Sequence, residues 1–162
     1  MKIKVGHGID IHQLKSGEDF YLGGVKIESD IGIVGHSDGD VVIHALVDAI
    51  LGALSKGDIG TFFPSSDSSI KGASSKLFLK KALDIMIDNQ YKINNIDINV
   101  VLQRPQLSSY IYSIRKSLSS LIGIDIETIS VKATTTDYLG FIGKGEGIMS
   151  TATLLLIKDH ES

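Results

Sequence analysis

Two hydrophobic periods alternate along this 162-residue chain, in an irregular order. Residues 2–11 are strand-like. Short strands at 20–22 and 25–27 flank Gly23-Gly24, a two-residue hairpin signal. A glycine-bearing loop spans 32–39. Residues 40–55 then carry the period of a helix, with Ile43, Leu46, Val47, Ile50 and Leu54 in register and Ser37 or Asp38 as its cap. The glycine-flanked segment 57–60 ends that helix. Residues 61–73 form a long serine-rich loop with Pro64, of the length that often serves as a lid. A second helix over 74–89 turns Leu79, Ala82, Leu83 and Met86 inward. Ile96, Ile98, Val100 and Leu102 alternate as a half-buried strand does, and Pro105 stops it. A third helix over 107–121 aligns Ile111, Ile114, Leu118 and Leu121. Residues 129–134 and 148–157 are strands. This order predicts an α+β fold: a sheet covered on one face by helices, in a single domain over 1–158 with a polar tail at 159–162.

Composition narrows the function classes. With 43% hydrophobic and 22% charged residues, the chain can bury one core. A formal charge of -3 gives no broad attraction to a nucleic-acid backbone, and 6% aromatic residues without tryptophan make base stacking a poor mode of action. The absence of cysteine excludes disulfides, thiolate zinc sites and cysteine nucleophiles. No apolar run reaches the roughly 18 residues of a membrane span. The first residues lack the apolar core of a signal peptide, so a soluble cytoplasmic protein without membrane contacts is expected.

Chemistry concentrates in a few segments. Asp10 and His12 lie two apart on a strand and so share a face. His44 sits on the following helix, with Asp40 and Asp48 a turn before and after it, the polar stripe of an otherwise apolar helix. Two histidines and one carboxylate with a fourth position open form the ligand set of a catalytic zinc site. A helix histidine flanked by aspartates is also the ordinary pattern of a hydrogen-bonded core residue. His36 and Ser37 stand before a helix N-terminus, where free N–H groups favour anions; a capped turn looks the same. The segment Lys132-Ala133-Thr134-Thr135-Thr136-Asp137 offers hydroxyls, a lysine and an acid suited to phosphate and a divalent cation, or plain β-propensity. The glycine-dense stretch 140–147 fits neither the P-loop nor the dinucleotide pattern.

Taken in order, Gly8-Ile9-Asp10-Ile11-His12, His36-Ser37-Asp38-Gly39-Asp40 with His44-Ala45 and Asp48-Ala49, Gly57-Asp58-Ile59-Gly60 with Phe63-Pro64, and Lys132-Ala133-Thr134-Thr135-Thr136 with Gly140-Phe141 and Gly145-Glu146-Gly147 resemble the 2-C-methyl-D-erythritol 2,4-cyclodiphosphate synthase family. The likeness covers nearly the whole chain. It implies a metal-dependent phosphorus–oxygen lyase of the non-mevalonate route to isoprenoid precursors. In that reaction the 2-phosphate of 4-diphosphocytidyl-2-C-methyl-D-erythritol 2-phosphate attacks the β-phosphorus, and CMP leaves. It also implies a homotrimer with a site at each subunit interface, holding one zinc ion and a second divalent ion, magnesium or manganese.

Carried over by the resemblance, Asp10, His12 and His44 bind zinc, with Asp40 and Asp48 orienting His44 from behind. His36 and Thr135 stabilise the transition state, and Asp137 stands where the family has glutamate as ligand of the second ion. Substrate contacts fall on Asp10, Ile11, His12, His36 and Ser37, and on Asp58, Ile59 and Gly60 near the erythritol. They continue on the loop residues Phe63, Pro64, Ser65, Ser66 and Asp67. Leu102, Gln103, Arg104, Pro105, Gln106, Leu107 and Ser108 take the cytosine, while Thr134, Thr135, Thr136 and Asp137 take the phosphates. Phe141 and Lys144 match positions at the trimer axis, where Lys144 replaces an arginine. Two other readings share these ligands: a different zinc-dependent phosphotransferase or phosphodiester hydrolase, and a binding module with structural zinc. Structural zinc takes four protein ligands, and three are credible here. A trimmed plastid chain is the alternative to a bacterial cytoplasmic one.

Overall fold

The fold is organised around one long strand and one buried helix. The computed structural model describes residues 1–35, 37–64 and 66–158. Strand β1 (Lys2–Ser16) alternates along its whole length. Gly6, Gly8 and Leu14 are buried and Asp10 and His12 partly so, while the odd-numbered residues face outward. It runs five residues beyond the expected end because its polar C-terminal half still pairs on both edges. Gln13 lies opposite Gly147 and Leu14 opposite Ile33.

A hairpin of β2 (Tyr21–Leu22) and β3 (Val25–Lys26) turns on Gly23-Gly24 as expected. The expected loop over 32–39 begins with a short strand, β4 (Ile31–Ile33), paired to β1. Helix α1 (Val41–Ala53) is capped by Asp40, whose side chain accepts from the Ile43 amide, and not by Ser37 or Asp38. The expected loop at 61–73 is shortened by α2 (Ile59–Phe62) and a 3-10 turn at Ser68–Ile70. Each is built on an aspartate cap, Asp58 and Asp67, which a hydropathy pattern does not display.

Helix α3 (Ser75–Asp88) leads to β5 (Lys92–Val101), and α4 (Ile111–Ile122) starts four residues later than the periodicity suggests, after a turn. Then come β6 (Ile129–Thr134), the short α5 (Gly140–Gly143) and β7 (Gly147–Lys158). The five long-range strands form one curled sheet in the order β4-β1-β7-β5-β6, antiparallel except for β5 and β6.

The helices cover one face, as the order of periods predicts. Helix α1 packs on β1 and β7, α3 on α1, and α4 on β6. The approach of α1 to β1 is unusually close. A Cβ on Gly6 would stand 1.9 Å from the Ala49 carbonyl oxygen, and one on Gly8 2.0 Å from that of Ala45. Only hydrogen fits between strand and helix there. The opposite face of β1 presents Ile3, Val5, Ile9 and Ile11, each between 51% and 66% exposed.

Candidate metal and substrate site

The glycine-to-alanine contact brings the next residues of β1 level with the first turns of α1. Asp10 and His12 point the same way, and His44 meets them from the helix. Asp10 Oδ2 lies 2.8 Å from His12 Nδ1 and 3.2 Å from His44 Nδ1. The two rings are 5.3 Å apart at 57°. One ligand atom from each residue lies within 4.8 Å of the others. Ligands held about 2.0–2.1 Å from a tetrahedral ion stand roughly 3.3 Å from one another, so the three need only small shifts to share a cation.

The protein alone leaves this cluster incomplete. His12 Nδ1 is buried, and its close contact is Asp10 Oδ2 at 2.8 Å, the same oxygen that His44 Nδ1 approaches. Two ring nitrogens thus converge on one carboxylate oxygen, and a cation between the groups would engage all three. Burial pushes the Asp10 carboxyl up, but the hydrogen bonds and charges of His12 and His44 outweigh that and hold it at about 2. The ligating form of the acid is therefore the stable one at neutral pH. The cluster opens on a cavity of about 200 Å³, walled on its far side by Ile59, Phe63, Ile70 and Phe78. Phe63 stacks on Phe78 at 4.4 Å, which places the segment after α2 over the cluster.

A second cavity, of about 340 Å³, lies between the 102–108 loop and the end of β6. Leu102, Gln103, Pro105, Gln106, Leu107 and Ser108 line it on one side, with Thr134 and Thr135 on the other. The Leu102 amide donates to the Thr134 carbonyl, and the Tyr138 amide to the Gln103 side chain, which ties the two segments together. The two cavities share no lining residue. The register explains why. Asp10 faces Ser150, Ser150 faces Val100, and Val100 faces Ala133. Three strand steps separate the halves, roughly 14 Å.

Residues 3–157 match the family model described as the YgbB family. The chain belongs to the YgbB family. It is 47% identical over 156 residues, 96% of each chain, to a 2-C-methyl-D-erythritol 2,4-cyclodiphosphate synthase of Acinetobacter baylyi. A solved IspF of Plasmodium falciparum in complex with CDP is similar at 40% identity and a TM-score of 0.86, over 98% of this chain and 97% of that one. The bifunctional IspDF of Campylobacter jejuni is similar at 39% identity and a TM-score of 0.92. The likeness covers 96% of this chain and 42% of that longer protein.

Within this YgbB chain, the carboxylates of Asp40 and Asp48 are engaged by backbone amides and not by the His44 ring. Asp40 turns away to accept the Gly23, Gly24 and Ile43 amides at 2.9, 2.7 and 3.1 Å. The N–H groups of the helix start and of the hairpin converge on this one carboxylate at the cap position. Burial pushes the Asp40 carboxyl up, against the pull of those amides. Asp48 accepts the Ile59 amide at 2.7 Å and so anchors α2. His44 instead meets Ser75 Oγ at 2.9 Å and Ser37 Oγ at 3.3 Å through Nε2. Ser75 lies 31 residues away and carries no signal in the sequence beyond the serine pair that starts a helix.

The remaining expected residues divide clearly. Asp58 is exposed and closes a capping box with Thr61, whose hydroxyl holds its carboxyl below the usual range. Ile59 and Phe63 reach the cluster cavity, while Gly60, Pro64, Ser66 and Asp67 are exposed around it. Ile11 points to the outer face of the sheet, and Arg104 lies on the 102–108 loop. Asp137 is exposed, with positive φ, and stands outside the one three-residue metal-type cluster found among the described residues. Thr136 donates to the Leu139 carbonyl. Phe141 and Lys144 are exposed at α5. His36 and Ser65 lie outside the described residues.

Proposed function

We propose that this chain converts 4-diphosphocytidyl-2-C-methyl-D-erythritol 2-phosphate to 2-C-methyl-D-erythritol 2,4-cyclodiphosphate and CMP, a step of isoprenoid precursor synthesis. The observation that carries the reading is the convergence of Asp10, His12 and His44 in a chain of this family. The relative solved with CDP supports a cytidine diphosphate ligand.

The chemistry asks for little general-base help. The attacking group is a phosphate, already anionic at neutral pH. The barrier is the approach of two anions, so positioning and charge neutralisation supply most of the catalysis. Asp10, His12 and His44 would hold a zinc ion, which when bound supplies a Lewis acid for the β-phosphate. Thr135, beside the loop-lined cavity, donates its hydroxyl to phosphate oxygens, and His36 is assigned the matching role. The 102–108 loop holds the cytosine through backbone groups. Asp137 is proposed as a ligand of a second divalent ion, magnesium or manganese.

The two half-sites share no wall within one chain. A homotrimer that sets the loop cavity of one subunit beside the metal cluster of the next would join them. The apolar outer row of β1, left open to water in a single chain, supports such an assembly. A cytoplasmic location fits this role.

Purified protein incubated with the cytidine substrate, zinc and magnesium in ¹⁸O-water tests the reading. The expected products are CMP and a cyclic diphosphate without ¹⁸O. Solvent oxygen in the products would identify a hydrolase instead, and no CMP would refute the proposal outright.

A further inference from the structure

We propose that Ser75 and Asp38 are positioning residues that decide which ring nitrogen of His44 faces the metal cluster. The inference rests on the metal reading of Asp10, His12 and His44, and it concerns how the chain prepares one of these ligands.

The reasoning follows the protons. Ser75 Oγ and Asp38 Oδ1 are hydrogen-bond partners. A carboxylate only accepts, so the single hydroxyl proton lies on the bond from Ser75 to Asp38. Ser75 Oγ also stands 2.9 Å from His44 Nε2. Having committed its proton, the serine oxygen can only accept there. Nε2 therefore carries a hydrogen, which leaves Nδ1 as the nitrogen open to a cation, once a proton it shares with the Asp10 carboxylate is displaced. Nδ1 is the nitrogen that lies 3.2 Å from Asp10 Oδ2, on the side of the cluster. A lone pair aimed into the cluster is what a cation needs. An anionic partner behind the ring also strengthens the ligand.

The surroundings hold this relay in place. Ser75 is fully buried and His44 nearly so. Asp38 accepts the Ser75 amide at 2.9 Å and the Asp40 amide at 3.2 Å, and its own amide donates to the Ala73 carbonyl. The carboxylate is thus pinned at the first residue of α3, and the serine hydroxyl has one direction to turn. Ser37 Oγ, at 3.3 Å, is a longer second contact on the same ring nitrogen.

The test joins ¹⁵N–¹H correlation spectra of the His44 ring with zinc affinities from competition against a chromophoric chelator. Wild-type protein, metal-free and zinc-loaded, is expected to carry hydrogen on His44 Nε2. Ser75→Ala is expected to bind zinc roughly 10- to 100-fold more weakly, as outer-shell losses do. Ser75→Thr, which keeps a hydroxyl, is expected to recover most of that affinity. Zinc on Nε2 of the wild type, or unchanged affinity in a folded Ser75→Ala, overturns the relay. Should Ser75→Ala fail to fold, the wild-type spectrum decides alone. Wild-type protein that takes up no zinc would overturn the metal reading, while the metal-free ring spectrum still judges the relay.

Discussion

Asp40 offers the sharpest test of how the site is supported, because two roles predict different losses. Its carboxylate accepts three amides, those of Gly23 and Ile43 on Oδ1 and that of Gly24 on Oδ2. In Asp40→Asn, one oxygen can still serve Gly23 and Ile43. The new amide group then faces the Gly24 N–H, donor against donor, and a hydrogen bond to a charged acceptor is lost. That costs about 2 kcal/mol. Asp40→Ala loses all three. A missing cap costs about 1 kcal/mol, and two stranded amides add roughly 1–3 kcal/mol each, for a sum of roughly 3–7 kcal/mol.

For a chain of this length each kcal/mol lowers the melting temperature by about 2–4 °C. Asparagine should therefore cost about 4–8 °C, and alanine about 6–28 °C. The assay is thermal unfolding of metal-free protein followed by circular dichroism, at one protein concentration. Zinc content of the folded Asp40→Asn protein, by elemental analysis, should equal that of the wild type. A variant of wild-type stability that loses zinc would refute the reasoning and return Asp40 to the role of orienting His44.

Other consequences follow from the same geometry. His44→Ala should lose zinc and activity while keeping the helical circular dichroism spectrum; full zinc content would remove it from the ligand set. Gly8→Ala would press a methyl group onto the Ala45 carbonyl and the Ala49 amide, both backbone. It should cost about 1–3 kcal/mol or more and weaken zinc binding by spreading β1 from α1, whereas Gly52→Ala, exposed in open space on the helix, should stabilise by about 1 kcal/mol. In metal-free protein the folded state lowers the Asp10 carboxyl from 3.8 to about 2. Its contribution, about 2 kcal/mol, is therefore complete above pH 4 and is lost as pH falls toward 2; Asp10→Asn should flatten that part of a stability-against-pH curve.

Local periodicity was legible residue by residue. Alternation located β5, helical spacing located α1 and α3, and two-residue spacing on a strand put Asp10 and His12 on one face. These are ladder properties, in which each residue answers mainly to neighbours two to four positions away. Caps were harder, since Asp40, Asp58 and Asp67 compete with nearby serines that have the same chemistry. The mistaken roles of Asp40 and Asp48 share that cause. Helix position placed both beside His44, but backbone amides hold each carboxylate instead.

Residue types and their order thus carried the α+β class, the ligand candidates and, through family resemblance, the reaction. Folding settled matters that depend on distant segments meeting. Gly6 and Gly8 let α1 lie against β1, which is what carries His44 to Asp10. Ser75, 31 residues from His44, supplied a hydrogen-bond partner that no spacing rule could find. The 102–108 loop and the Asp10, His12 and His44 cluster ended on strands three steps apart. The physical reason is that a hydrogen bond or a shared ion is fixed within a few ångströms and by direction. Chain distance says nothing about either until the backbone has closed around them.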